Sequence, residues 1–327
     1  MVELVRDLRS SKGYIDGDFR TFAIDVGSLE FDSFLNLNNT YDYVFNLSAL
    51  KHVRSEKDSF TLMRMISVNI LNSISIANKL DKLNTKKYFC VSTDKSSNPV
   101  NMMGASKRIM EISLFDSNFN LDVSTARFAN VAFSDGSLLD GFNYRMSKKQ
   151  PFSVPKDIKR YFLTKKESGI LCLLSGLVGD DKQIFFPNAP DEIKLISFKD
   201  IAKKFIEMKG FEPFICNSEE EARNLSKTII SKKQWPCYFF DTKTTGEKEE
   251  EEFFSESEEY DLNTYQSIGV INYKKTKERK EILELIDSIE SFKNKKEWTK
   301  KDLIKLFGDF LNNFNHLEKN KFLDDQM

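Results

Sequence analysis

Four short runs crowded with apolar and β-branched residues, TFAIDV (21–26), YDYVFNLSA (41–49), KKYFCVST (86–93) and LDVSTARF (121–128), are separated by stretches whose apolar residues recur every three or four positions. The runs read as strands buried on both faces, and the intervening LEFDSFLN (29–36), 58–83 and 105–119 read as amphipathic helices. A strand–helix–strand alternation with crossovers of about a dozen residues or more is the signature of a parallel sheet covered by helices. The expected class is doubly wound α/β.

After residue 130 the texture changes. GSLLDGFNYRMSKKQ (136–150) reads as a helix, PFSVP as a short extended piece, and TKKESGILCLLSGLV (164–178) as a helix with Thr164 placed to cap it. A strand at KQIFFP and a helix at SFKDIAKKFIEMKG follow. Eight glutamates fall between Glu247 and Glu259, a density that reads as a solvated loop or linker. Helical spacing returns in ERKEILELIDSIESF and KKDLIKLFGDFLNNF. The division this suggests is a core over 1–135, a smaller lobe contacting it over 136–245, and an acidic linker with a helical tail over 246–327.

Composition narrows the function classes. Lys plus Arg number 49 against 50 Asp plus Glu, so no global basic excess draws the chain to nucleic acid. The apolar run GILCLLSGLVG (169–179) is shorter than the roughly 20 residues that cross a bilayer, and MVELVRDLRSS lacks the basic-then-apolar layout of a signal peptide. The expected location is cytoplasmic. Cys90, Cys172, Cys216 and Cys237 share no Cys-x-x-Cys spacing and the histidines are His52 and His316, a poor basis for a metal site or a disulfide framework.

Chemistry-bearing residues concentrate in VSTDKSSNPVNMMGASKRIM (91–110). In an open α/β sheet, ligands bind beyond the carboxyl ends of the strands. The strand ending near Val91 delivers Thr93, Asp94 and Lys95 there, a hydroxyl, a carboxyl and an amine in succession. On the next helix Met103 and Lys107 are four apart and share a face. Taken alone, Ser-Thr-Asp-Lys also reads as a capped turn after a strand.

The runs YVFNLSALKHV, VSTDKSSNPVNMMGASKR and STARFANVAFSDGS together resemble the extended short-chain dehydrogenase/reductase superfamily, and within it the nucleotide-sugar 4,6-dehydratases of polysaccharide biosynthesis. The similarity covers roughly residues 1–215. It implies a Rossmann-like fold and redox-neutral conversion of a UDP-sugar, UDP-N-acetylglucosamine in the first instance, to a 4-keto-6-deoxy sugar with tightly held NAD rather than NADP. The superfamily's Tyr-x-x-x-Lys tyrosine is replaced by Met103, which has no transferable proton; the long-chain branch of this dehydratase group is similar in pairing Met at that position with Thr-Asp-Lys. The resemblance then implies Thr93 at the C4 oxygen, Asp94 as acid at C6, Lys95 as base at C5 and Lys107 on the nicotinamide ribose. A lysine serves as a base near neutral pH when burial or nearby cations depress its pKa.

Other positions follow from the same resemblance. Asp25 matches an adenine contact, or is a carboxylate at a helix N-terminus; Leu47, Ser48 and Ala49 match the loop over the cofactor. Asn130 matches a residue of the sugar or pyrophosphate pocket. Lys51 and His52 face substrate or solvent, and Arg160 is a candidate for the diphosphate or a salt-bridged surface residue. Among the 13 glycines there is no Gly-x-Gly-x-x-Gly pattern, so the expected fold is a Rossmann-like parallel sheet lacking its first β-α-β unit, with an open edge and an incomplete phosphate site. A mis-started frame, a split enzyme completed by a separate chain, and an inactive relative acting as an interaction protein each account for this. The family's habit implies homo-oligomers built on the long helices 58–83 and 105–119, and a UDP-sugar epimerase is the rival activity.

Overall fold

The computed structural model describes residues 2–13, 19–37, 41–188, 194–242, 246–312 and 314–319. The chain divides into two compact units, Met1–Thr40 and Tyr41–Met327. The first carries helices α1 (Val2–Lys12) and α2 (Leu29–Leu37). The strand expected at TFAIDV is not formed: 21–25 has no regular structure and Val26 and Gly27 make a turn. A strand needs a neighbour for its N–H and C=O groups, and among the described residues of this unit no second strand exists to pair with. Its apolar side chains serve the helix instead, with the Phe22 ring 4.8 Å from that of Phe34. Asp25 sits in the turn ahead of α2, its carbonyl accepting from Ser28 N at 3.1 Å.

The second unit begins with the alternation read from the sequence: β1 (Tyr43–Asn46), α3 (Ser59–Lys82), β2 (Lys87–Thr93), α4 (Met102–Phe115) and β3 (Asp122–Phe128). Then come α5 (Leu138–Ser147), β4 (Phe152–Pro155), α6 (Lys165–Leu177), β5 (Gln183–Pro187), α7 (Phe198–Met208), β6 (Glu212–Cys216), β7 (Gln234–Phe240), β8 (Tyr260–Asp261), β9 (Ile268–Asn272), α8 (Arg279–Lys295) and α9 (Lys300–Phe310). Thr164 caps α6 as expected, in a capping box with Glu167.

The main sheet runs β1-β2-β3-β5-β9-β8, parallel through β5 and antiparallel beyond it. It therefore crosses the boundaries expected at 135/136 and 245/246, since β5 comes from the second segment and β8 and β9 from the third. β1 stands at one edge. α3 and α4 bury their apolar sides against the sheet; in α4 every residue but Arg108 is buried. α3 is long and apolar enough to cross a membrane by length and composition, yet 61% of its apolar window is buried inside the protein, the pattern of a core helix. On the other face α6 packs Leu171 with Phe89, Ala126, Phe185 and Val270. Each such side chain is stabilised by about 1.5–3 kcal/mol on leaving water.

A second sheet, β6-β7-β4, all parallel, carries its own core of Phe142, Phe152, Phe205, Trp235 and neighbours. Phe142 and Phe152 stack at 4.4 Å. This lobe stands over the carboxyl ends of β2 and β3 and closes one side of a cavity.

Candidate functional site

β2 ends at Thr93, and its parallel pairing with β1 and β3 (Asn46 beside Cys90, Thr93 beside Phe128) brings three strand ends together. The chain then turns through Asp94–Ser96, a single 3-10 turn capped by Thr93. Thr93 Oγ1 donates to Asp94 Oδ1 at 2.8 Å; the same oxygen accepts from Lys95 N at 2.9 Å and from Lys95 Nζ at 3.1 Å. All three side chains are thus joined through one carboxylate oxygen. The turn is fixed from below by α4, whose N-cap Asn101 accepts from Gly104 N at 2.7 Å. Gly104 passes so close that a Cβ would stand 2.4 Å from the Lys95 carbonyl oxygen. Gly104→Ala is therefore expected to displace the turn and cost about 1–3 kcal/mol, read as a lower urea midpoint together with reduced turnover.

Met103 and Lys107 face the same cavity from α4, and both are buried. Lys107 Nζ donates to the Val91 carbonyl at 2.9 Å. Burial lowers its pKa to about 8 against the opposing pull of Cys90 and Glu111, so near neutral pH it is a cation that readily releases a proton. Lys95 behaves otherwise. Burial favours its neutral amine, but the carboxylates of Asp94 and Glu251 outweigh burial and raise its pKa. The depressed base expected from the sequence is, in the resting site, a charged one.

The cavity encloses about 1010 Å³, at the upper end of the range for small-molecule sites. It brings together Thr93, Asp94, Lys95, Met103 and Lys107 with Leu47, Ala49, Lys51, His52 and Asn130. Burial, aided by Arg54 and Lys51, keeps the His52 pKa below its ordinary value. Lys51 Nζ donates to Ser134 Oγ at 3.3 Å. Ser48 lies just behind the lining, its N–H held by Asn46 Oδ1. Asp25 belongs to the other unit.

Arg160 is not at the surface and does not line the cavity. Its guanidinium donates to the Lys159, Lys248 and Glu249 carbonyls and to Glu247 at 2.9 Å, which holds the glutamate segment in place. Two guanidiniums line the cavity among the described residues, those of Arg54 and of Arg145 on α5.

That segment is the main departure from expectation. Composition reads it as a solvated linker, but Glu251 is buried and the Glu258 side chain is only 7% exposed. Ser97 Oγ donates to the Glu252 carbonyl, Asn101 Nδ2 to that of Gly246 and Arg127 to that of Phe253. Beneath the Asp94–Ser96 turn lies a charged network: Arg127, fully buried, pairs with Glu111 at 2.8 Å and Glu258 at 2.7 Å, and Ser92 and Ser96 both donate to Glu111. Buried Asn69, in the π-helical turn Ser67–Asn72 of α3, bonds both the N–H and the carbonyl of Leu50 and the hydroxyl of Ser106, which bonds the Met103 carbonyl. Arg127 was signalled by a charge deep inside a buried strand run, apart from the exposed Asp122 at its start. Asn69 carried no such mark.

Residues 26–273 match a family model described as polysaccharide biosynthesis protein. The chain belongs to this family. Among curated members of the polysaccharide biosynthesis proteins, it is 31% identical over 171 residues to the capsular polysaccharide biosynthesis protein CapD of Staphylococcus aureus, covering 51% of this chain and 28% of CapD. It is 28% identical over 198 residues to the probable polysaccharide biosynthesis protein EpsC of Bacillus subtilis, covering 59% of this chain and 32% of EpsC. The chain thus spans about a third of the length of these relatives. Two solved structures share the fold. Pen from Bacillus thuringiensis superposes with a TM-score of 0.65 over 85% of this chain and 78% of Pen at 19% identity. MoeE5, solved in complex with UDP-glucose and NAD, superposes at 0.51 over 64% of this chain and 79% of MoeE5 at 18% identity.

Proposed function

We propose that the chain carries the proton-transfer side of a nucleotide-sugar 4,6-dehydratase acting on a UDP-sugar, UDP-N-acetylglucosamine in the first instance, in the making of a surface polysaccharide. The observation that carries the reading is the Thr93–Asp94–Lys95 cluster joined at Asp94 Oδ1, facing one cavity with Met103 in the tyrosine position and Lys107 a turn further on. Membership of the polysaccharide biosynthesis family and the UDP-glucose and NAD bound to MoeE5 support the substrate class and the cofactor.

Eliminating water across C5 and C6 calls for a neutral base and a protonated acid at the same moment. Lys95 and Asp94 supply both by one internal transfer: a proton passing from Nζ to Oδ1 over 3.1 Å leaves a free amine for the C5 proton and a carboxylic acid for the departing C6 hydroxyl. Net charge does not change, so the step avoids bringing a new charge into the cavity. Thr93 Oγ1 is the proposed hydrogen-bond partner of the C4 oxygen. Lys107 and the Leu47–Ala49 loop would hold the nicotinamide-ribose end of NAD, which would supply hydride transfer from C4 and back to C6. Arg145 and Arg54, with Lys51, are the cationic candidates for the diphosphate.

Incubation of UDP-N-acetylglucosamine with the protein and NAD is expected to give a 4-keto product one water lighter than the substrate by mass spectrometry. A product isomeric with the substrate identifies an epimerase and overturns the dehydratase reading.

A further inference from the structure

Lys95 meets two carboxyl groups, and only one of them belongs to its own turn. The second, Glu251, arrives from the glutamate segment and is 5% exposed. Its Oε1 lies 3.8 Å from Lys95 Nζ and 3.6 Å from the Arg160 guanidinium, and among the described residues it has no hydrogen-bond partner. The backbone around it is anchored by Ser97 at Glu252, Arg160 at Lys248 and Glu249, and Arg127 at Phe253. A carboxyl so fixed, shielded from solvent and short of partners acts on Lys95 through charge alone, with little screening.

We propose that Glu251 is the positioning carboxyl of Lys95: it holds the amine at the cavity wall and, with Asp94, helps Lys95 keep its proton. The assignment rests on Lys95 being the base of the dehydratase reading. The charged groups facing Glu251 are Lys95, Asp94, Arg160 and Lys248, with Glu247 beside Lys95 on the same segment. Burial raises the proton affinity of Glu251 and Asp94 adds to it, against the pull of Lys95, Arg160 and Lys248. An ionised Glu251 keeps Lys95 an ammonium. With that charge removed, Lys95 answers to Asp94, and the Nζ-to-Oδ1 transfer becomes easier.

The decisive measurement needs no turnover. The protein is trace-labelled with acetic anhydride over a pH series, and acetylation of Lys95 is read by peptide mass spectrometry. In Glu251→Gln the Lys95 midpoint is expected to fall by about one pH unit, the effect of one nearby opposite charge. A midpoint equal to that of the wild type, in a variant with wild-type melting, overturns the assignment. Should Glu251→Gln fail to fold, Glu251→Asp, whose carboxyl is withdrawn by one methylene, decides in the same way: a lowered midpoint sustains the proposal and an unmoved one overturns it. In a protein that converts UDP-N-acetylglucosamine, the kcat limb on which the base ionises moves to lower pH with KM unchanged; a moved midpoint with an unmoved limb also overturns it. In a protein that converts no UDP-sugar, the dehydratase reading fails, while the Lys95 midpoint still tests Glu251.

Discussion

Lys95→Ala and Asp94→Asn are each expected to lower turnover of UDP-N-acetylglucosamine by about two to four orders of magnitude, the usual worth of a positioned acid or base, while KM changes little. The two losses differ in kind. Without the Lys95 amine nothing abstracts the C5 proton, so substrate incubated in deuterated water acquires no label at C5. Asp94→Asn keeps the shape of the turn and leaves Lys95 its amine, so C5 exchange persists while departure of the C6 hydroxyl fails. Exchange lost equally in both variants, or retained in Lys95→Ala, contradicts the assignment of base and acid. Removing Asp94 also removes the carboxylate nearest Lys95 Nζ, and the exchange reaction of Asp94→Asn is therefore expected to set in at lower pH than that of the wild type. The sign follows from the ion pair: Lys95 has its pKa raised by Asp94 and Glu251 against burial, so losing a carboxylate makes the free amine available earlier as pH rises.

What the sequence disclosed of this site, and what it hid, divides by distance along the chain. Thr93, Asp94, Lys95, Met103 and Lys107 lie within one strand-turn-helix, where periodicity and capping chemistry set geometry locally, and the structure places them in one cavity wall. The four-residue spacing of Met103 and Lys107 needed only a helix to put them on one face. TFAIDV carried the pattern of a strand but not the partner a strand requires. The strand Ile268–Asn272 passed unnoticed because its short apolar run follows a glutamate-rich stretch. That stretch misleads for a physical reason: charge density predicts solvation only when the counter-charges are water and salt. Here they are Lys95, Arg127 and Arg160, roughly a hundred residues or more away in sequence and 4 Å or less in space. The charge state of Lys95 was hidden with them, since the group that helps keep it protonated belongs to the hidden segment.

Arg127→Met is expected to destabilise the protein by about 3–5 kcal/mol at pH 7, the cost of breaking a buried ion network by removing one partner. Arg127 makes a hydrogen bond with every N–H of its guanidinium: Nε and one Nη2 hydrogen to Glu111, the other Nη2 hydrogen to Glu258, and the two Nη1 hydrogens to Glu258 and the Phe253 carbonyl. Methionine fills much of the volume but leaves two largely shielded carboxylates facing each other with, among the described residues, Arg108 as the cation between them. The loss therefore depends on pH. In the wild type, burial works against the charged form of Glu258, but its bonds to Arg127 and the charges of Arg127 and Arg108 prevail and pull its pKa to about 2. A carboxyl depressed in this way stabilises the fold above its unfolded pKa, near 4.3, and that contribution is lost as pH falls from about 4 towards 2. Without Arg127 the carboxyls take up protons at higher pH, which relieves their repulsion. The gap between variant and wild type in urea denaturation should accordingly be widest at pH 7 and narrow towards pH 4. Because Arg127 also fixes the Phe253 carbonyl, two residues from Glu251, the folded fraction of Arg127→Met should show a lowered Lys95 midpoint as well. A gap under about 1 kcal/mol at pH 7, or one that widens on acidification, would mean that the network does not hold the glutamate segment to the core.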